Sequence, residues 1–168
     1  DGISKSGEDA LKAAGIEIDT TKVAQERLAE HINENDVDVL LVRSATKVRK
    51  DLIDATKGKL KFIGRGGVGM DNIDVDYARE QGMIVQNTPA ASTRSVAELV
   101  FAHLSGMVRF VFDANQKMPL EGDSNFKVLK KNYGAGTELK GKTLGIIGFG
   151  RIGQEVAKIA FGYGMTVK

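Results

Sequence analysis

The stretch TLGIIGFGRIG, from Thr143 to Gly153, constrains this chain more than any other. Its apolar start, Thr143–Ile147, reads as a strand buried on both faces, and the segment after it, Ile152–Phe161, has the spacing of an amphipathic helix. The G-x-G-x-x-G run formed by Gly148, Gly150 and Gly153 joins the two. A strand that passes into a helix within a few residues is half of a parallel βαβ unit, so the chain has to supply a sheet with helices over it. Gly148 would allow the tight turn, Gly150 would let the backbone approach a pyrophosphate, and Gly153 would let helix close on strand. The helix start, with Arg151 and Ile152, presents unpaired N–H groups and a partial positive charge to such an anion. A turn that serves packing alone has the same glycine pattern, so the run gains weight only from its surroundings.

Those surroundings alternate in the same sense. Apolar runs at Ile16–Ile18, Val37–Val42, Leu60–Ile63, Met83–Val85, Thr143–Ile147 and Met165–Val167 predict strands. Helices are predicted near Gly7–Ala14, Thr21–Asn33, Lys50–Ala55, Val75–Gln81, Val96–Phe112 and Ile152–Phe161. Ser95 and Glu98 have capping-box spacing at the start of the fifth of these. Pro89 keeps Thr88 extended, which marks a crossing between domains. The polar segment Asp113–Lys140, with Pro119 and three glycines, predicts an arm or a long connection.

Composition narrows the partners. Hydrophobic residues make up 42% and charged residues 27%, as in a globular chain, and the net charge of +2 argues against a nucleic acid or an anionic membrane as partner. Lysines 57, 59 and 61 form a basic cluster that reads as a solvated face. With no cysteine there is no disulfide, thiolate nucleophile or thiolate metal ligand, and the two isolated histidines suggest no zinc site. No apolar run approaches the ~20 residues of a membrane span, and the N-terminus lacks the layout of a secretion signal, so no membrane partner is expected and the cytoplasm is the expected compartment. The chain has no initiator methionine, which suggests a lost beginning, and it stops before the acidic residue expected ~20 residues after the glycine run, so both ends look cut.

Two further motifs are suited to anions. In FIGRGGVGMDNIDVDYA, Gly66, Gly67 and Gly69 follow a strand with Arg65 at the rim, so successive amides could form a nest for a carboxylate or phosphate. A packing loop is the competing reading. In LLVRSATKV, Arg43 ends a buried strand, where it could grip an anion bidentately with the Ser44 hydroxyl beside it. An arginine snorkelling at a strand end would look the same. Asn87 closes another strand and offers a neutral amide, while Ser92 and Ser95 are more simply helix-start residues. His103 falls on the apolar face of its helix and reads as a core or interface residue.

Taken together, VRSATKV, GRGGVGMDNIDVDYA, NTP…SVAELV and GKTLGIIGFGRIGQEVAKIAFGYGM resemble the D-isomer-specific 2-hydroxyacid dehydrogenase family over nearly the whole chain. The resemblance implies an α/β fold of two doubly wound parallel-sheet domains. These would be a flavodoxin-like substrate domain over 1–88 and a Rossmann NAD-binding domain over 89–168, the second incomplete, with an active cleft between them. It implies NAD as cofactor, without separating it from NADP. By position, Arg43, Ser44, Arg65, Gly66, Gly67 and Asn87 resemble substrate contacts, while Val68, Gly148, Gly150, Arg151, Ile152 and Gly153 resemble cofactor contacts.

The implied reaction is hydride transfer from a small acidic D-2-hydroxyacid, with 3-phospho-D-glycerate favoured and other hydroxyacids, glyoxylate or formate left open. A non-catalytic dinucleotide sensor is the alternative. The family's catalytic arginine, glutamate and histidine would lie beyond Lys168, and Arg109, Glu98 and His103 match none of them. The family's usual assembly implies a homodimer through the nucleotide-binding domain, with 113–140 at its interface.

Overall fold

The structure is a computed structural model that describes all 168 residues. The chain divides into two compact units, Asp1–Pro89 and Ala90–Lys168.

In the first unit, helices α1 (Lys5–Ala13) and α2 (Leu28–Glu34) precede strand β1 (Val39–Val42). Helix α3 (Lys50–Ala55), strand β2 (Phe62–Arg65), helix α4 (Val75–Glu80) and strand β3 (Ile84–Asn87) follow. The sheet is parallel throughout in the order β1-β2-β3. Its core gathers residues at strand and helix spacing, among them Ile32, Val42, Ile53, Ile63 and Val85. Two predicted elements differ. Ile16–Ile18 joins no ladder, because no strand lies beside it to pair its backbone groups. The helix expected from Thr21 begins only with a single 3₁₀ turn at Gln25–Arg27. Upstream, the Asp19 carboxylate accepts the Thr21 N–H at 2.8 Å, a local bond that competes with helix, and also meets His31 Nε2 at 2.5 Å.

In the second unit, helices α5 (Thr93–Val108) and α6 (Val111–Tyr133) lead to strand β4 (Thr143–Leu144), helix α7 (Arg151–Gly162) and strand β5 (Thr166–Val167). Strands β4 and β5 pair in parallel, and the Ile146 N–H to Lys168 carbonyl bond extends the pairing beyond them. Ile147, expected in the strand, is fully exposed. Ala97, Phe101, Val156 and Ala160 form the core between α5 and α7, and Phe101 stacks on Tyr163 at 5.0 Å between ring centroids.

Segment 113–140 is largely helix rather than an irregular arm. Pro119 and Gly122 lie inside α6, which bends at Asn125. The Tyr133 hydroxyl donates to the Asp113 carboxylate at 2.9 Å, so the helix folds back on itself; twenty residues of straight helix would part the two by ~30 Å. The corner before it is Phe110, at φ 56°. Helix α5 starts at Thr93, before the expected capping box, with Ser92 at its N-cap and no side-chain cap bond. Glu98 instead accepts from Arg94 Nε at 2.7 Å, a bond between two opposite charges one helical turn apart. His103 is exposed beside the Phe112 ring rather than buried in a core. No single helix is long and apolar enough to cross a membrane.

Candidate functional site

In the first unit, strand register sets the geometry. Val42 pairs with Arg65, and Arg65 pairs with Asn87, so the carboxyl ends of all three strands stop level with one another. Arg43, Arg65, the Gly66–Gly69 loop and Asn87 are thereby placed along one sheet edge, where open parallel sheets bind ligands. Hydrogen bonds hold the glycine loop there. The Gly66 N–H donates to the Val42 carbonyl at 2.8 Å, and Asn87 Nδ2 donates to the Val68 carbonyl at 2.6 Å. Gly67 is gripped from both sides: its N–H donates to Thr88 Oγ1 at 2.8 Å, and its carbonyl accepts the Thr88 N–H at 3.0 Å, so the Gly66 and Gly67 amides expected to form an anion nest are already engaged within the chain.

Gly67 sits at φ 146°, and a Cβ there would lie 1.4 Å from Arg65 Nη1. The guanidinium occupies the room that the missing side chain leaves. It donates to the Gly66 carbonyl at 3.1 Å, while its Nε is buried without an acceptor. The guanidinium is a permanent cation suited to an anion through its outer N–H groups rather than the enclosed Nε. Arg43 and Ser44 are exposed on the turn after β1. Two amides of that turn are already engaged: Asp1 Oδ2 accepts the Arg43 N–H at 2.6 Å and the Thr46 N–H at 3.3 Å. Val68 is exposed at the tip of the glycine loop.

The second unit holds the other glycine run, where the three glycines differ. Gly148 has φ 92°, a conformation that side chains rarely adopt. Gly150, the N-cap of α7, has open space where a Cβ would stand. At Gly153 a Cβ would fall 2.3 Å from the Gly148 carbonyl oxygen, so helix and turn backbones approach closely there, and Gln154 Nε2 donates to the Phe149 carbonyl at 3.1 Å. The first intrahelical bond runs from Gln154 to Gly150, and the N–H groups of Arg151, Ile152 and Gly153 have no acceptor in the chain. Arg151 is exposed, while Ile152 packs into the unit's core. Open backbone, free first-turn amides and an adjacent cation fit a dinucleotide pyrophosphate.

Helix α7 is fastened to α5 by charge. Arg94 donates to Glu155 and Glu98, each at 2.7 Å, and Lys158 donates to Glu155 at 3.0 Å. Contact with Arg94 first, and then Lys158, holds the Glu155 carboxyl below the usual glutamate range, while Glu98 first, and then Glu155, raise Arg94. Sequence reasoning missed Asp1, Asn72 and Thr88 at the first edge. The NTP run after a strand end signalled Thr88, but no local pattern marked the other two.

Fold and edges define an α/β protein whose parallel-strand ends carry glycine loops and arginines suited to anions. The family model for the D-isomer specific 2-hydroxyacid dehydrogenase, catalytic domain, matches residues 1–159. Hydroxypyruvate reductase of Thermotoga maritima is 45% identical over 166 residues, 95% of this chain and 52% of that protein. D-3-phosphoglycerate dehydrogenase of Methanocaldococcus jannaschii is 46% identical over 164 residues, 95% of this chain and 29% of that protein. The NAD complex of the NAD-dependent formate dehydrogenase from Staphylococcus aureus superposes with a TM-score of 0.75 at 28% identity, covering 97% of this chain and 48% of that one. The chain belongs to the D-isomer-specific 2-hydroxyacid dehydrogenase family. It spans about half or less of the length of these relatives.

Proposed function

We propose that the protein carrying this chain oxidises a D-2-hydroxyacid with NAD, and that 3-phospho-D-glycerate is its substrate. The carrying observation is the level ending of β1, β2 and β3, which gathers on one edge Arg43, Arg65 and the glycine loop, whose Val68 N–H has no acceptor in the chain. Two arginines and the free Val68 amide exceed what a single carboxylate needs and suit an acid with a second anionic group. Ser44 adds a hydroxyl, and Asn87 braces the loop through Val68. The first unit is then the substrate-binding domain and the second the nucleotide-binding domain.

Bound nicotinamide supplies hydride acceptance, the step no side chain here performs. The chain contributes holding and orientation. Gly148, Gly150 and Gly153 would shape the pyrophosphate cradle, and the free amides of Arg151 and Ile152 would meet the anion. Arg43 and Arg65 fix the acid so that C2 is presented in one orientation.

Hydroxypyruvate reduction is the second reading, favoured by the 45% identity to the Thermotoga maritima reductase. Rates of the intact protein with 3-phosphoglycerate and NAD, and with hydroxypyruvate and NADH, separate the two. Losing one charge-assisted contact in Arg43→Ala should raise the KM for the phosphorylated acid about 10- to 100-fold. It should leave NADH affinity within about twofold. An unchanged KM would remove Arg43 from the site.

We further propose that the protein is a homodimer built on its second unit. Met107, Phe112, Leu120 and Phe126 of α5 and α6 stand exposed there, and a second copy would cover them.

A further inference from the structure

We infer that Asn72 is a positioning residue that sets the Arg43–Thr46 turn against the glycine loop to receive the acid, an inference that rests on the substrate reading of Arg43 given above. Asn72 lies three residues after Gly69 and is only 7% exposed. Its Nδ2 donates to the Arg43 carbonyl at 2.8 Å and to the Thr46 carbonyl at 2.7 Å, spanning the turn end to end. Asp1 takes the amides of the same two residues. Both ends of the turn are therefore fixed, and the Arg43 side chain and the Ser44–Ala45 tip remain free.

The junction between these loops does not need the Asn72 side chain to stay closed. The Val48 N–H donates to the Asn72 backbone carbonyl, and the Asp74 N–H donates to Val48, both at 2.9 Å. Arg49 reaches the Asp71 carbonyl at 2.9 Å and the Asp74 carboxylate at 3.0 Å, and the Lys50 N–H also donates to Asp74. The Asn72 amide thus addresses residues 43 and 46 alone. Its Oδ1 is buried with no partner, an arrangement that an apolar residue of similar size would avoid. What the amide provides in return is the geometry of the turn that presents Arg43.

The test is a mutant cycle in the intact protein, reading KM for 3-phosphoglycerate and for hydroxypyruvate, kcat, NADH affinity and circular dichroism. Asn72→Leu should raise the KM of the accepted acid about 10- to 100-fold through misplacement of Arg43, with NADH affinity within about twofold. Added to Arg43→Ala, it should raise KM no further, because both changes act through one guanidinium. If Arg43→Ala raises KM while Asn72→Leu leaves it unchanged or multiplies with it, the positioning role is overturned and the site reading stands. If Arg43→Ala itself leaves KM unchanged, the site reading falls and this inference with it. Should Asn72→Leu fail to fold, Asn72→Ser, smaller and keeping one donor, should give a folded enzyme with an intermediate rise. A Ser variant that also unfolds would assign Asn72 to stability and overturn the inference.

Discussion

Gly148, Gly150 and Gly153 belong to one motif, yet a side chain at each would meet a different obstacle. At Gly150 nothing in the protein resists it: φ is −76°, ψ is −163°, and the space is open. Gly150→Val should therefore fold normally and lose NADH binding, because the valine would fill room proposed for a pyrophosphate. Equilibrium fluorescence titration checks this, and wild-type affinity would contradict it. Gly153→Ala should act in the opposite order. Its Cβ meets a carbonyl oxygen at 2.3 Å, so a stability loss of about 1–3 kcal/mol, read from denaturant midpoints, is expected. The tight turn at Gly148 and the close packing at Gly153 were readable in the sequence because the motif is local. Asn72 was not, since its partners lie 26 and 29 residues away and nothing in DNID distinguishes a buried amide from a solvated one.

At the scale of elements, the seat of the glycine helix depends on the Arg94–Glu155–Lys158 cluster. The Glu155 side chain is 18% exposed, and its carboxyl is depressed mainly by Arg94. A carboxyl with a lowered pKa in the folded state stabilises above the ordinary glutamate value, about 4.3, and loses that contribution as pH falls through the lowered value. Tm measured from pH 7 down to pH 3 should therefore fall more steeply in the wild type than in Glu155→Gln. Parallel curves would show that the cluster contributes nothing. The strands β1, β2 and β3 and helices α3, α4 and α7 lie close to where apolar periodicity predicted them, since each buries a patterned face. The misses share a different cause. Ile16–Ile18 has strand composition but no neighbour, and Glu98 was claimed by Arg94 before it could cap. In α6, Pro119 and Gly122 looked like breakers, but a helix bent at Asn125 and tied by Tyr133 to Asp113 tolerates both.

For the whole molecule, the exposed apolar side chains of α6 make the strongest demand. Leu120 is 85% exposed and Phe126 52%, on a helix whose only buried residue is Leu129. Isolated apolar side chains on a surface need no explanation, but a helix that buries one residue and exposes several gains little by folding back unless something covers it. In the proposed homodimer a second copy would cover these side chains symmetrically and bring the charged residues of α6 to the rim of the contact. Leu120→Glu combined with Phe126→Glu places two like charges in each copy's half of that contact. Neither side chain is buried in the single chain, so the fold should not notice them. Light scattering of the intact protein at micromolar concentration should fall from the dimer mass to the monomer mass with an unchanged circular dichroism spectrum. A dimer that survives both substitutions would place the interface elsewhere and leave the exposure of α6 to be explained by a different partner.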